Sequence, residues 1–143
     1  MIQALFDTNV ILDIALEREP FFKEASQIFD LMDEGVVVGN ITATTITDIY
    51  YVSRRSKGHN ASLEFIRGLI SVVDIIGIDK EIIINSLDSN LDDFEDAIQA
   101  SAAKLNEIDV IITRNQKDFT NTEISVQSPS EFLAENKSPE RDK

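Results

Sequence analysis

Apolar residues along the chain follow two rhythms. Ile2–Phe6, Val36–Val38 and Val110–Thr113 are short, nearly unbroken apolar runs, the pattern of strands buried on both faces. Elsewhere apolar positions recur every three or four residues, which predicts helices. One such set is Val10, Ile11, Ile14 and Ala15, and a second, opened by Pro20, is Phe21, Phe22, Ala25, Ile28, Phe29 and Met32. A third starts at Thr44 or Thr45 and carries Ile46, Ile49, Tyr50 and Val52 into the basic stretch Arg54-Arg55-Ser56-Lys57. Gly35 and Gly58 stop the second and third helices. Further on, the pattern predicts a helix from about Ala61 to Ile70 and a third strand within Val72–Ile78, bounded by Asp79. A short helix follows with Ile82, Ile83, Ile84 and Leu87, and then a longer one, capped by Asp92 or Asp93, to about Leu105. Val110–Thr113 is the fourth strand, Ile124–Val126 a candidate fifth, and Ser130 is expected to cap a last helix through Phe132 and Leu133. His59 is placed in a loop, and the tail from Lys137, with nothing apolar, is expected to fray. Strands alternating with helices predict an α/β fold with a parallel sheet covered on both faces. Residues 1–136 read as a single domain, without repeat or linker.

Composition narrows the function. The chain has 143 residues, 43% of them apolar, enough for a core and too many for a disordered chain. Cysteine is absent, which excludes disulfides, thiolate metal sites and a cysteine nucleophile. No apolar run approaches the roughly 18 residues of a membrane span, and the N-terminus meets Asp7 without a basic region, unlike a signal peptide. The cytoplasm is the expected setting. Asp and Glu number 26 against 13 Lys and Arg, a formal net charge of −13. Nucleic acid held by a broad basic surface does not fit that balance. Solubility explains it, and so do carboxylates that converge on divalent cations, whose charge would reverse the local field.

The positions of the acids bear on that choice. In an open parallel sheet, ligands bind beyond the carboxyl ends of the strands. Asp7 follows the first strand; Thr113, Asn115 and Asp118 lie at or just past the fourth. Asp96 opens the helix before the fourth strand, and Asp48 sits in the early turns of the helix after the second. Each has a plainer reading: an Asp after a strand forms turns, and an acid in the first turn of a helix suits its dipole. Asp93, three residues before Asp96, has the spacing of a cap, and Asp13, Asp30, Asp33 and Asp88 read as solvated faces or helix ends. Together, four segments offer oxygen ligands to one sheet edge. Magnesium or manganese takes about six oxygens, a few from carboxylates and the rest from water or phosphate.

Four blocks carry a resemblance: Leu5-Phe6-Asp7-Thr8-Asn9-Val10-Ile11-Leu12-Asp13, Thr44-Thr45-Ile46-Thr47-Asp48-Ile49-Tyr50-Tyr51, Asp93-Phe94-Glu95-Asp96-Ala97-Ile98-Gln99-Ala100-Ser101-Ala102, and Ile112-Thr113-Arg114-Asn115-Gln116-Lys117-Asp118-Phe119. In this order they resemble the PIN-domain family, specifically the small bacterial ribonucleases of VapC type. The resemblance implies a three-layer α/β/α fold around a parallel sheet of four to five strands. It also implies Mg2+- or Mn2+-dependent endoribonuclease activity, with activated water attacking a phosphodiester in line. By carry-over, Asp7 and Asp96 bind metal, Asp48 is a ligand or holds a metal-bound water, and Asn9 and Thr113 orient the ligands. The fourth acidic position falls to Asn115 or Asp118. The family usually has Glu where Asp48 stands, and many relatives have Asp at Asn115, so ion binding is expected to be weaker here.

RNA is the implied substrate, and Arg54, Arg55, Lys57, Arg114 and Lys117 are candidate phosphate contacts. For the first three, favouring the C-terminal end of their helix is an equal reading. Such ribonucleases are commonly toxins held by a small antitoxin, and many form homodimers; Phe21, Phe22 and Tyr51 would serve such contacts or the core. A catalytically weak PIN-fold RNA-binding or interaction module is the alternative. Aspartyl phosphoryl transfer fits less well. Receiver domains want an acidic pair after the first strand, and phosphatases of the haloacid-dehalogenase type want a second Asp where this chain has Asn9.

Overall fold

The computed structural model describes residues 1–120 and 122–136; the expectation for the tail at 137–143 lies outside the described residues. Five strands, β1 (Ile2–Phe6), β2 (Val37–Thr42), β3 (Asp74–Ile76), β4 (Val110–Ile112) and β5 (Ser125–Gln127), form one sheet in the order β3-β2-β1-β4-β5. Every pairing in it is parallel. The helices are α1 (Thr8–Ala15), α2 (Phe21–Asp33), α3 (Ala43–Lys57), α4 (His59–Ile70), α5 (Lys80–Leu87), α6 (Phe94–Leu105) and α7 (Pro129–Glu135), with a 3-10 turn at Gln116–Phe119. The fold is the α/β arrangement that the alternating pattern predicts.

Alternation along the central strands sends side chains to both faces. Ala4 and Phe6 of β1, with Val110 and Ile112 of β4, pack against α1, α2, α3 and α7. Leu5 and Ile111 pack on the other face, with Ile82 of α5, Ile98 and Ala102 of α6, and Phe119. Burial on both faces removes the polar alternation of a half-exposed strand, so these strands read as continuous apolar runs.

Differences from the sequence reading have local causes. β2 runs on through Gly39 and Asn40 to Thr42, where the apolar run had broken. A Cβ at Gly39 would lie 2.5 Å from Phe6 Cε2, so glycine lets the Phe6 ring, stacked on Phe29, lie across the strand. Asn40 Nδ2 donates to Ala4 O at 3.1 Å, which makes a polar residue acceptable there. β3 is an edge strand that pairs only with β2, and just three of the expected residues join the ladder. The last helix is capped by Ser128, whose Oγ accepts from Glu131 N while Glu131 Oε1 accepts from Ser128 N; Ser130 is already inside the helix. His59 is the first residue of α4, its Nδ1 2.8 Å from Tyr50 Oη, and not part of a loop.

Asp13 is a larger correction. It is 1% exposed, at the end of α1, and takes two arginines: Arg114 through Nε at 2.8 Å and Nη2 at 3.2 Å, and Arg18 through Nε at 3.0 Å. The Arg114 guanidinium also lies 4.0 Å above the Phe21 ring. This ion triad ties the segment after β4 to α1. Removing its anion leaves two guanidiniums without their carboxylate. Asp13→Ala should therefore cost about 3–5 kcal/mol in urea unfolding, and a loss under about 1 kcal/mol, the scale of a surface pair, would show that the triad contributes little.

Candidate active site

The strand order reverses at β1: β2 lies on one side and β4 on the other. A crevice opens beyond their carboxyl ends at such a switch point, and the first residue past β1 is Asp7. Its N–H donates to Ile112 O at 3.0 Å, extending the β1–β4 ladder by one step. As N-cap of α1 it makes no side-chain cap bond, so its carboxylate is left for the cleft. Thr113 Oγ1 donates to Asp7 Oδ2 at 2.8 Å, and Gln99 Nε2, from α6, donates to Oδ1 at 3.4 Å. Thr113 Oγ1 also accepts the Asn115 N–H at 3.0 Å, so one hydroxyl couples Asp7 to the loop after β4. Burial raises the Asp7 pKa above the usual aspartate range in spite of these hydrogen bonds.

The same cleft is lined by Thr8, Asn9 and Leu12 of α1, Asp48 and Val52 of α3, Asp93, Glu95 and Asp96 at the start of α6, and Asn115 and Asp118 beyond β4. All the expected acids and Asn115 thus meet in one place, and Asn9 with them. Asp93 caps α6, its Oδ1 accepting from Asp96 N at 3.0 Å. Asp96 has its pKa pushed up to about 7, first by burial and then by the charges of Asp7, Asp93 and Asp118. A second recess, lined by Asp92, Asp93, Asp96, Lys117 and Asp118, adjoins the first.

Two functional candidates are additional to the sequence reading. Glu95 sits inside a block that was read for Asp96 alone. Its carboxyl is hydrogen-bonded to Asp48 and accepts from Thr8 Oγ1 at 3.4 Å, and its pKa is pushed up to about 8, by the Asp48 bond first and then by burial. Gln99 is 1% exposed, and its signal was a polar residue three positions after Asp96 on a helix face otherwise made of alanine and isoleucine.

The basic candidates separate. Lys117 lines the recess beside Asp96 and Asp118. Arg114, expected to contact phosphate, is instead committed to Asp13 and Phe21. Arg54, Arg55 and Lys57 are exposed at the far end of α3, with Lys57 about 13 Å along the axis from Asp48 at 1.5 Å per residue. Val52 follows Asp48 by four residues and Arg55 follows Val52 by three, so Arg55 continues the cleft-lining face.

The donor set is carboxylate with two carboxamides, Asn9 and Asn115, hard oxygen ligands that suit magnesium or manganese better than softer ions. Raised carboxyl pKa values mark negative charge that the protein leaves uncompensated. Among the described residues no three acids or histidines close on one point. With the geometry known, comparison with other proteins is informative. A PIN-domain family profile matches residues 3–117. The chain belongs to the PIN-domain family. Among solved structures, this PIN domain is similar to a toxin–antitoxin complex from Klebsiella pneumoniae, with a TM-score of 0.67 and 26% identity over 88% of this chain and 97% of that one. It is similar in fold to DNA-bound VapBC from Salmonella typhimurium (TM-score 0.67, 19% identity, 90% and 99% of the chains). A third similar fold is a sarcin–ricin-loop-cleaving VapC toxin of Mycobacterium tuberculosis (TM-score 0.61, 13% identity, 76% and 86%). No curated protein matches in sequence. No helix among the described residues is long and apolar enough to cross a membrane.

The raised values set a pH dependence. Unfolded, Glu95 and Asp96 release their protons near 4.5 and 3.8; folded, they keep them to about 8 and about 7. Between these limits the folded state binds more protons, so stability falls as pH rises. Calorimetry of the cation-free protein should give a lower thermal midpoint at pH 8.5 than at pH 5.5, with a shallower slope for Glu95→Gln. A midpoint that rises across this range would contradict it.

Proposed function

We propose that this PIN domain is a divalent-cation-dependent endoribonuclease of VapC type, which hydrolyses RNA phosphodiester bonds. The observation that carries this reading is the convergence of Asp7, Asp48, Glu95, Asp96, Asn115 and Asp118 on one cleft at the switch point of the sheet. Support comes from family membership and from the sarcin–ricin-loop cleavage of a toxin with a similar fold.

Asp7 and Asp96 would hold Mg2+ or Mn2+, with Asp48, Asn115 and Asp118 as further donors. When bound, such a cation lowers the pKa of water and offsets charge on phosphate oxygens. Thr113 and Gln99 hold the Asp7 carboxylate in a fixed direction, so no reorientation is needed when charge arrives at the cleft. Asn9 lines the cleft with Asp7. Lys117, with Arg55 and its neighbours Arg54 and Lys57 along α3, offers phosphate contacts that position the strand across the acids. Hydrolysis adds water across the bond: its oxygen joins phosphorus as the 3′ oxygen leaves and takes up a proton.

With magnesium or manganese present, the wild type should cleave RNA, while Asp7→Asn and Asp96→Asn should lower the rate by at least about 100-fold, the scale of losing a preorganised electrostatic group. Wild-type rates in both variants would assign the activity to a contaminant or to another site. The second reading, an RNA-binding or interaction module with little catalysis, is favoured by the neutral Asn115 and by the absence of a three-acid cage among the described residues. RNA binding with no cleavage in either metal would select it.

A toxin role in the cytoplasm follows from the same likeness, with a small antitoxin and a second copy of this chain as protein partners. Tyr51, 61% exposed on α3, is available for such a contact. Induced expression in a bacterial host should arrest growth, and a small protein encoded beside the gene should relieve the arrest. Normal growth with the wild type fully expressed would count against the toxin role.

A further inference from the structure

The acids that crowd the cleft are missing from the rest of α3. From Ile49 to Leu63 the chain has no aspartate or glutamate, its longest stretch without one, although acids number 26 in all. Arg54, Arg55 and Lys57 fall inside that stretch, together with Tyr50, Tyr51 and His59. Tyr51 is 61% exposed. Three residues after Asp48 and four before Arg55, it lies about 60° around the helix from the first and about 40° from the second. It therefore stands on the rim of the cleft, between an acid that lines it and an exposed arginine. We propose that Tyr51 is a stacking platform for an unpaired nucleobase of RNA, with Arg54 and Arg55 taking the phosphates beside it. The inference rests on the RNA-directed reading above and names the form of RNA, a single strand, that the site takes.

Stacking needs a flat face that is open to solvent and held still. Tyr51 meets Tyr50 at 5.3 Å between ring centres with the planes 73° apart, an edge contact that leaves a face open. Tyr50 is itself fixed. Its Oη lies 2.8 Å from His59 Nδ1, the two rings stand 87° apart, and the Arg54 guanidinium lies 5.9 Å from its ring centre. Beneath them, Ser53 Oγ lies 2.8 Å from Ser62 Oγ in the buried seam between α3 and α4. The Tyr51 ring thus projects from a braced pair of helices. Every base has a π-face, so such a platform tolerates any sequence, provided the base is unpaired. Charge points the same way. In a protein of net charge −13, this segment keeps a local excess of cations, which attracts a phosphate backbone. A base on Tyr51 directs the adjoining nucleotide toward Asp48, about 4.5 Å along the helix axis, and so toward the acids. A protein contact is the competing use of an exposed tyrosine; the adjoining arginines and an acid of the cleft within one turn favour nucleic acid.

The test is fluorescence anisotropy of the full chain with a short labelled RNA of mixed sequence, single-stranded or annealed to its complement. Calcium replaces magnesium so that binding is read apart from cleavage. The wild type should prefer the single strand. Tyr51→Ala, which keeps a good helix former at the position, should weaken single-strand binding by about 10-fold, the scale of one lost base stack, and leave duplex binding unchanged. Tyr51→Trp should restore the preference. In cleavage with magnesium, the loss in Tyr51→Ala should fall on KM rather than on kcat. Single-strand binding by Tyr51→Ala at wild-type affinity, or equal affinity of the wild type for strand and duplex, would overturn the platform. Unchanged RNA affinity with altered sedimentation of Tyr51→Ala would assign the residue to a protein contact instead. Wild type that binds no RNA would overturn the RNA-directed reading as well, whereas the cleavage assay of Asp7→Asn tests hydrolysis independently of Tyr51.

Discussion

The structure is organised around the cost of placing a carboxylate at the buried end of a parallel sheet. Asp7 is 6% exposed, and an isolated anion at that depth is strongly disfavoured. Two neutral donors, Thr113 and Gln99, keep it hydrogen-bonded without cancelling its charge. A lysine or arginine there would have made a stable ion pair and a chemically silent cleft. Neutral donors leave a directed negative potential, and crowding with it makes Asp96 and Glu95 hold their protons to about 7 and about 8. The chain accepts a local instability, and a cation is the simplest thing that relieves it.

That economy explains why the cations of the neighbourhood lie where they do. Arg114 immediately follows Thr113, close enough in sequence to reach the acids, yet it pairs with Asp13 of α1. The triad of Asp13, Arg18 and Arg114 thus performs two tasks. It anchors the loop that carries Asn115 and Asp118, and it keeps a guanidinium out of the cleft. Lys117 stands beside the acids, and a flexible ammonium on a long stem can pair with a phosphate without remaining on a carboxylate.

Much of this was legible in the sequence. The strands β1 and β4 announced themselves because burial on both faces makes them apolar throughout, and the acids could be placed at the sheet edge because each lies next to a strand or a helix start. Where reading failed, tertiary contacts had overridden local pattern. Gly39 and Asn40 look like a break, and only the Phe6 ring and the Ala4 carbonyl explain them as strand. Asp13 looks like a solvated helix end because nothing local reveals that two arginines from elsewhere will cover it. Glu95 was hidden by its neighbour: consecutive residues on a helix usually face different surroundings, and only a cleft wide enough to take both makes each of them part of the site.

The overall charge bears on how such a cleft meets RNA. With a net charge of −13, the protein repels a polyanion at long range, and the few exposed cations on α3 are screened within about 10 Å at 0.1 M salt. Binding therefore depends on the local field at the cleft itself. On the proposed reading, affinity for RNA follows cation occupancy of this cleft, and the shorter Asp48 and the neutral Asn115 make that occupancy the controlling variable.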